Sequence, residues 1–181
     1  MLTTSWTRPA ATTREAERIA RDLFGLEGTA TELPSERDRN FLIATPSGRT
    51  VLKIAHADEE RSVLEVQHRA LERIAECAPD LVVPRVVRGL DGHDILETPG
   101  AGGASHLVRM LSWLPGTPLA EVLPHSSELL KSLGATLGRL DLALEGFTHP
   151  QARRVLKWDI VRPGSGPHRT EALRRGDHHR A

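Results

Sequence analysis

Arg49-Thr50-Val51-Leu52-Lys53-Ile54-Ala55 is the stretch on which the fold turns. It is a short β-type run with one lysine between apolar neighbours. Successive side chains of a strand leave on opposite faces, so Val51 and Lys53 share one face and Leu52 and Ile54 the other. A lysine held there is desolvated unless an anion meets it. Two readings follow: a cation waiting for a phosphate in a cleft, or an edge-strand lysine that discourages strand-on-strand association. The flanking chain has to separate them.

Working upstream, Pro46-Ser47-Gly48 reads as a turn and Asn40-Phe41-Leu42-Ile43-Ala44 as a strand. Pro34-Ser35-Glu36-Arg37-Asp38-Arg39 is a polar turn, and Gly28 to Leu33 a weakly alternating strand. Three strands joined by short turns make an antiparallel meander. Before them, Thr12 and Glu15 fit a capping box. Ala16, Ile19, Ala20, Leu23 and Phe24 recur at helical spacing as far as Gly25, which is placed for a left-handed cap. The spacing predicts a helix over 13–24.

Downstream, Asp58 is placed to cap a second helix, with Glu59 and Glu60 complementing its positive end. Val63, Val66, Ala70, Leu71 and Ile74 are its apolar stripe, and Pro79 stops it near Cys77-Ala78. Val82 to Arg88, Ile95 to Glu97 and His106 to Trp113 read as strands, the last interrupted by Arg109. Thr98 to Ser105 is Gly-rich, but neither a lysine nor a helix start follows it directly, so it reads as a plain loop. Leu114-Pro115-Gly116-Thr117-Pro118 is a rigid linker.

Ser126 caps a third helix, in which Leu129, Leu130, Leu133, Leu137, Leu140 and Leu144 form one face and which Gly146 ends. Gly134 and Gly138 each cost roughly 1 kcal/mol inside a helix, and their spacing points to close packing against a neighbour. Arg153 to Ile160 reads as one more short helical or mixed segment. From Val161 the chain is rich in Arg, Gly, Pro and His, with too little apolar surface to order itself.

Composition narrows the function. Lys plus Arg number 24 and Asp plus Glu 24, a formal net charge of zero in 181 residues. That argues against a general binder of nucleic acid or anionic membrane, which needs excess positive charge. The single cysteine, Cys77, excludes an internal disulfide and a cysteine metal cage and fits a reducing compartment. No apolar run approaches the roughly 20 residues that span a bilayer. The first eleven residues lack the apolar core of a secretory signal, so a cytoplasmic protein is expected.

The order is helix, three antiparallel strands with a lysine on the third, helix, further strands, Pro-Gly linker, helices. It is that of the small lobe of a kinase-type fold: an α+β unit with a five-stranded antiparallel sheet and a packed helix. Several collinear pieces carry a more specific likeness: Ser35-Glu36-Arg37-Asp38-Arg39-Asn40-Phe41, Val51-Leu52-Lys53-Ile54, Leu64-Glu65-Val66-Gln67-His68, Leu107 to Leu119, Leu133 to Asp141, Phe147-Thr148-His149-Pro150 and Trp158-Asp159. On these the chain resembles the aminoglycoside phosphotransferase and choline kinase superfamily, and within it the hydroxylysine kinase branch.

The resemblance implies a kinase-like N-terminal lobe over residues 1–113 and a hinge with the first helices of a larger helical lobe over 114–160; composition makes 161–181 a disordered tail. It implies ATP- or GTP-dependent phosphorylation, with Mg2+, of a small amino alcohol such as 5-hydroxylysine, and no nucleic-acid or membrane partner. By carry-over, Lys53 holds the nucleotide phosphates and the turn from Ser35 to Asn40 covers them. The backbone of Ser112, Trp113 and Leu114 forms the hinge that meets the base. The helix partner of the lysine, a glutamate in protein kinases, falls at Gln67 or at Glu65. These two positions point roughly 200° apart on a helix, and Gln67 offers a hydrogen bond without charge. Unlike that of protein kinases, the turn contains no glycine.

Catalysis in the superfamily also needs an H-G-D-x-x-x-x-N loop and a later metal-binding aspartate. His56-Ala57-Asp58 follows the lysine strand directly, with Val63 where the Asn is required. Arg175-Gly176-Asp177-His178-His179 is nearer, but Arg175 replaces the His and the chain stops before the Asn. Its competing reading is a disordered tail in which His168, Asp177, His178 and His179 bind metal only adventitiously. The expectation is therefore no catalytic residue and no metal-ligand set: a truncated phosphotransferase, inactive alone, with an out-of-frame tail. The alternatives are a non-catalytic nucleotide-binding or interaction module, associating through the leucine face of residues 129–144, or the N-terminal domain of a kinase/aminotransferase fusion.

Overall fold

In the computed structural model, which describes residues 8–100 and 103–153, helix α1 spans Thr13–Phe24 with both ends set locally. Thr12 Oγ1 accepts from the Glu15 amide at 3.3 Å, and the Thr12 amide donates to Glu15 Oε2 at 2.7 Å. Gly25 closes the helix at φ 66°, its amide donating to the Arg21 carbonyl. The capping box and left-handed cap read from the sequence are both present.

The strands are β1 (Thr29–Leu33), β2 (Arg39–Thr45), β3 (Gly48–Ile54), β4 (Val86–Val87), β5 (Leu96–Pro99) and β6 (Ser105–Ser112). β1, β2, β3 and β6 are successive neighbours, all antiparallel. The far edge of β6 is shared: β4 pairs with Leu111 and Met110, and β5 with residues 108 to 105. β4 and β5 therefore lie end to end in the fifth position, with residues 88–95 looping out between them. The five expected positions hold six strands. The run predicted over Val82–Arg88 is only two residues long, because Pro84 cannot donate to a ladder.

One face of the sheet is dry. Phe41, Ile43, Leu52, Ile54, Val108 and Met110 are at most 1% exposed, packed with Ala16, Ile19, Ala20 and Phe24 of α1. Helix α2 (Arg61–Cys77) serves the other face, where its Leu64 packs with Ala55 and Ile95, flanked by Leu107. α2 starts three residues after the cap predicted at Asp58. Asp58 is exposed, and Glu60 stands at the N-cap without a side-chain bond to the backbone amides of the first turn. Glu59 reaches back to His56 instead, at 3.4 Å.

Helix α3 (Ser127–Ala143) is capped by Ser126, whose Oγ accepts from the Leu129 amide at 3.2 Å. Among the described residues its C-terminal end is the part that packs: Ala143 joins Ile74, Ala78 and Leu81, with Leu140 and Leu144 alongside. Leu130 and Leu137 are half exposed, and a Cβ at Gly134 or Gly138 would meet nothing within 4 Å. The close packing predicted at these glycines is thus absent among the described residues. The chain divides after Phe147, and the described part of the second unit is a single 3-10 turn, Pro150–Arg153. The rest of the segment read over Arg153–Ile160, the tail, His168 and Arg175 to His179 lie outside the described residues. No helix among the described residues is long and apolar enough to cross a membrane.

Candidate functional site

The register of the central strands brings three polar side chains into one row. Lys53 of β3 stands opposite Asn40 of β2 on one side and Arg109 of β6 on the other. Cross-strand partners share a face, so all three leave the sheet on the side away from α1. Lys53 Nζ donates to Asn40 Oδ1 at 3.0 Å. Arg109, only 6% exposed, donates from Nη2 to Gln67 Oε1 at 2.6 Å, and the Gln67 amide group donates in turn to the Val63 carbonyl within α2.

The helix partner expected for Lys53 is therefore elsewhere. Gln67 meets Arg109, and Glu65 is exposed on α2. Among the described residues, neither cation has a carboxylate within ion-pair distance. Burial pushes the Lys53 ammonium below its ordinary value, helped by the like charge of Arg109 and opposed by Asp38. Burial lowers Arg109 too, against the pull of Asp38 and Glu59. Both carboxylates are engaged by His56: its amide donates to Asp38 Oδ1 at 3.3 Å, and its ring lies against Glu59.

The polar turn between β1 and β2 borders this row. Ser35 Oγ donates to the Asp38 carbonyl and accepts from Arg8 at 3.2 Å, which pins the turn without a glycine. Ser35, Glu36, Arg37, Asp38, Asn40 and Glu59 enclose a recess of about 260 Å3. At the far end of β6, the Ser112 amide donates to Arg85 O and the Trp113 amide to Arg49 O. Of the three expected hinge residues, only Leu114 keeps its amide out of these pairings, and it is 37% exposed.

Asp38, His56 and Glu59 also bring one ligand atom each within 4.8 Å of one another. Mg2+ takes near-octahedral oxygen ligands. Here one of the three donors is an imidazole, and the Arg37 guanidinium lies against its Nε2. The set does not fit Mg2+. Arg109 is the residue that sequence reasoning passed over. Its signal was a single charge inside an apolar run, but the β3–β6 register was needed to set it beside Lys53.

A sequence profile of the phosphotransferase enzyme family matches residues 29–180. The chain belongs to this family. The matched range includes residues 161–180, which counts against an out-of-frame origin for that segment. Hydroxylysine kinase of Mus musculus is 31% identical over 156 residues, covering 80% of this chain and 41% of that protein. Hydroxylysine kinase of Bos taurus is 31% identical over 167 residues, covering 86% and 44%. The chain thus spans less than half the length of these relatives. Among solved structures, an amicoumacin kinase in complex with AMP-PNP, Ca2+ and Ami superposes with a TM-score of 0.66 at 18% identity, over 82% of this chain and 45% of that one. A microcompartment-associated aminopropanol kinase gives 0.63 at 16% identity, over 84% and 47%. These two establish the fold: an α+β unit of a six-stranded antiparallel sheet and three helices, of the kinase-like kind.

Proposed function

We propose that this chain is the nucleotide-holding portion of a small-molecule kinase that uses ATP or GTP to phosphorylate the hydroxyl of an amino alcohol such as 5-hydroxylysine. Lys53 carries the reading. It is a partly buried mid-strand ammonium tied to a neutral amide, on a face bordered by a polar recess, in a chain of the phosphotransferase family. A desolvated cation without a carboxylate is unfavourable, and a phosphate relieves it. On this reading the Ser35–Asn40 turn lies over the phosphates, and the amide of Leu114, which has no backbone partner among the described residues, is the hinge group that meets the base. The acceptor class follows from chemistry common to the relatives' names, since hydroxylysine and aminopropanol both carry an amine and a hydroxyl.

Phosphoryl transfer needs the donor, the metal and the acceptor hydroxyl positioned together. The family's catalytic loop and Mg2+ ligands are not among the described residues. One charge-assisted contact contributes roughly 1.5–3 kcal/mol, whereas micromolar affinity needs about 8.2. Binding by this chain alone is therefore weak, and turnover absent. The non-catalytic reading, an association module, draws its support from the half-exposed Leu130 and Leu137 of α3.

A thermal-shift titration with ATP and GTP to millimolar concentration, with Mg2+, tests the proposal. The expected result is a nucleotide-dependent rise in Tm that Lys53→Ala abolishes. No shift with either nucleotide overturns it. A parallel assay for phosphorylated 5-hydroxylysine should read zero. Turnover that disappears in both Lys53→Ala and Asp177→Asn would instead show that the chain is catalytically complete.

A further inference from the structure

We infer that Arg109, rather than any residue of α2, is the working partner of Lys53: the two form a two-cation clamp for a polyphosphate, and Gln67 is the positioning residue that holds Arg109 in it. The inference rests on the nucleotide reading above and specifies how the phosphates are held.

Like charges directly opposite on neighbouring strands are destabilising, and Lys53 and Arg109 are such a pair. Nothing in the described structure neutralises them at contact distance. The row Asn40–Lys53–Arg109–Gln67 instead ends in an amide at each side, with one hydrogen bond to each cation. An amide oxygen orients a cation without cancelling its charge. A carboxylate at position 67 would pair with the guanidinium and consume it. Glutamine is the residue that a site keeping both charges available requires.

The guanidinium has five N–H donors, and among the described residues only the bond to Gln67 engages it. Its planar fork suits two oxygens of one phosphoryl group, while the lysine supplies a movable point charge. Asp38 and Glu59 act on the cations only from a distance, each engaged with His56. A phosphoryl dianion matches the two charges. The competing account, in which Arg109 and Gln67 merely pin α2 to the sheet, makes the opposite prediction for one substitution.

That substitution is Gln67→Glu. In a clamp it sets a carboxylate against Arg109, so the ligand-free Tm rises while affinity for ATP and for tripolyphosphate falls by about tenfold or more, and Arg109→Gln weakens both probes by about ten- to a hundredfold. Calorimetric titration of the parent and variants at fixed low salt, with melting curves of each, reads both signs. Unchanged or tighter binding in Gln67→Glu overturns the clamp. So does Arg109→Gln keeping the parent affinity while Lys53→Ala loses it, and in both cases the nucleotide reading stands. A parent chain that binds neither probe overturns both. If Arg109→Gln does not fold, Gln67→Glu, which keeps size and leaves both cations in place, decides.

Discussion

The two faces of the sheet are built by the same strands, one residue out of step. Leu52 and Val108 are completely buried under α1, whereas their chain neighbours Lys53 and Arg109 stand in a polar row on the side of α2. On the first face α1 contributes Ala16, Ile19, Ala20 and Phe24 to the core. On the second α2 contributes Gln67, and at the next position a buried histidine, His68. Burial of apolar area is non-directional and stabilises wherever it occurs. Desolvated cations do the reverse and become favourable only with a ligand. The dry face holds the lobe together, and that leaves the other face free to keep charges in a state poor for stability, which on the proposed function a bound anion relieves.

The comparison breaks most visibly at Phe41, which is fully buried in the dry core. Phe41→Ala should cost about 3–5 kcal/mol in urea denaturation. A loss below 1 kcal/mol would mean that this face does not dominate stability. A smaller effect is expected where α1 is anchored. Thr12→Ala removes the capping box and should cost about 1 kcal/mol by the same measurement, with nucleotide response otherwise unchanged. If it costs nothing, packing alone holds α1 on the sheet.

The smallest effect sharpens the polar side. His68 is 1% exposed, and burial pushes its imidazole below the ordinary 6.5, against the hydrogen bond to Asp94 at 3.0 Å. Arg109 also disfavours its charged form, while Asp94 and Glu72 favour it. Below about pH 6.5 the unfolded chain takes up a proton here that the folded chain refuses. Stability should therefore fall on acidification from above that value, and the loss should level off once the folded pKa has been passed. Tm measured between about pH 7.5 and 5.5 should drop more in the parent than in His68→Gln, which cannot charge. Identical slopes would show that the histidine does not titrate differently on folding.

These sites also mark how far the sequence could be read. The caps of α1 were legible because they are local: Thr12, Glu15 and Gly25 lie within one helix and its ends. The alternation through Phe41, Ile43, Leu52 and Ile54 was legible because a strand has a period of two. The start of α2 was not. Asp58 has the chemistry of a cap, but Glu59 is drawn to His56 and the helix begins at Arg61. Gly134 and Gly138 implied a close neighbour that the described residues do not supply. The lysine of the site was visible from its place in the order of elements. Asn40 was visible as the end of the polar turn, but that it and Arg109 flank the lysine was not, since they come from two other strands.

The chain by itself determined the elements, their order, which side chains of each strand share a face, and the family. These depend on local periodicity and on short collinear motifs. Tertiary structure alone decided that β4 and β5 divide one sheet position, that Gln67 turns to Arg109, and that Lys53 and Arg109 stand side by side. Those facts depend on register between strands far apart in sequence. A shift of one residue in β6 would put Arg109 in the dry core and Val108 beside the lysine.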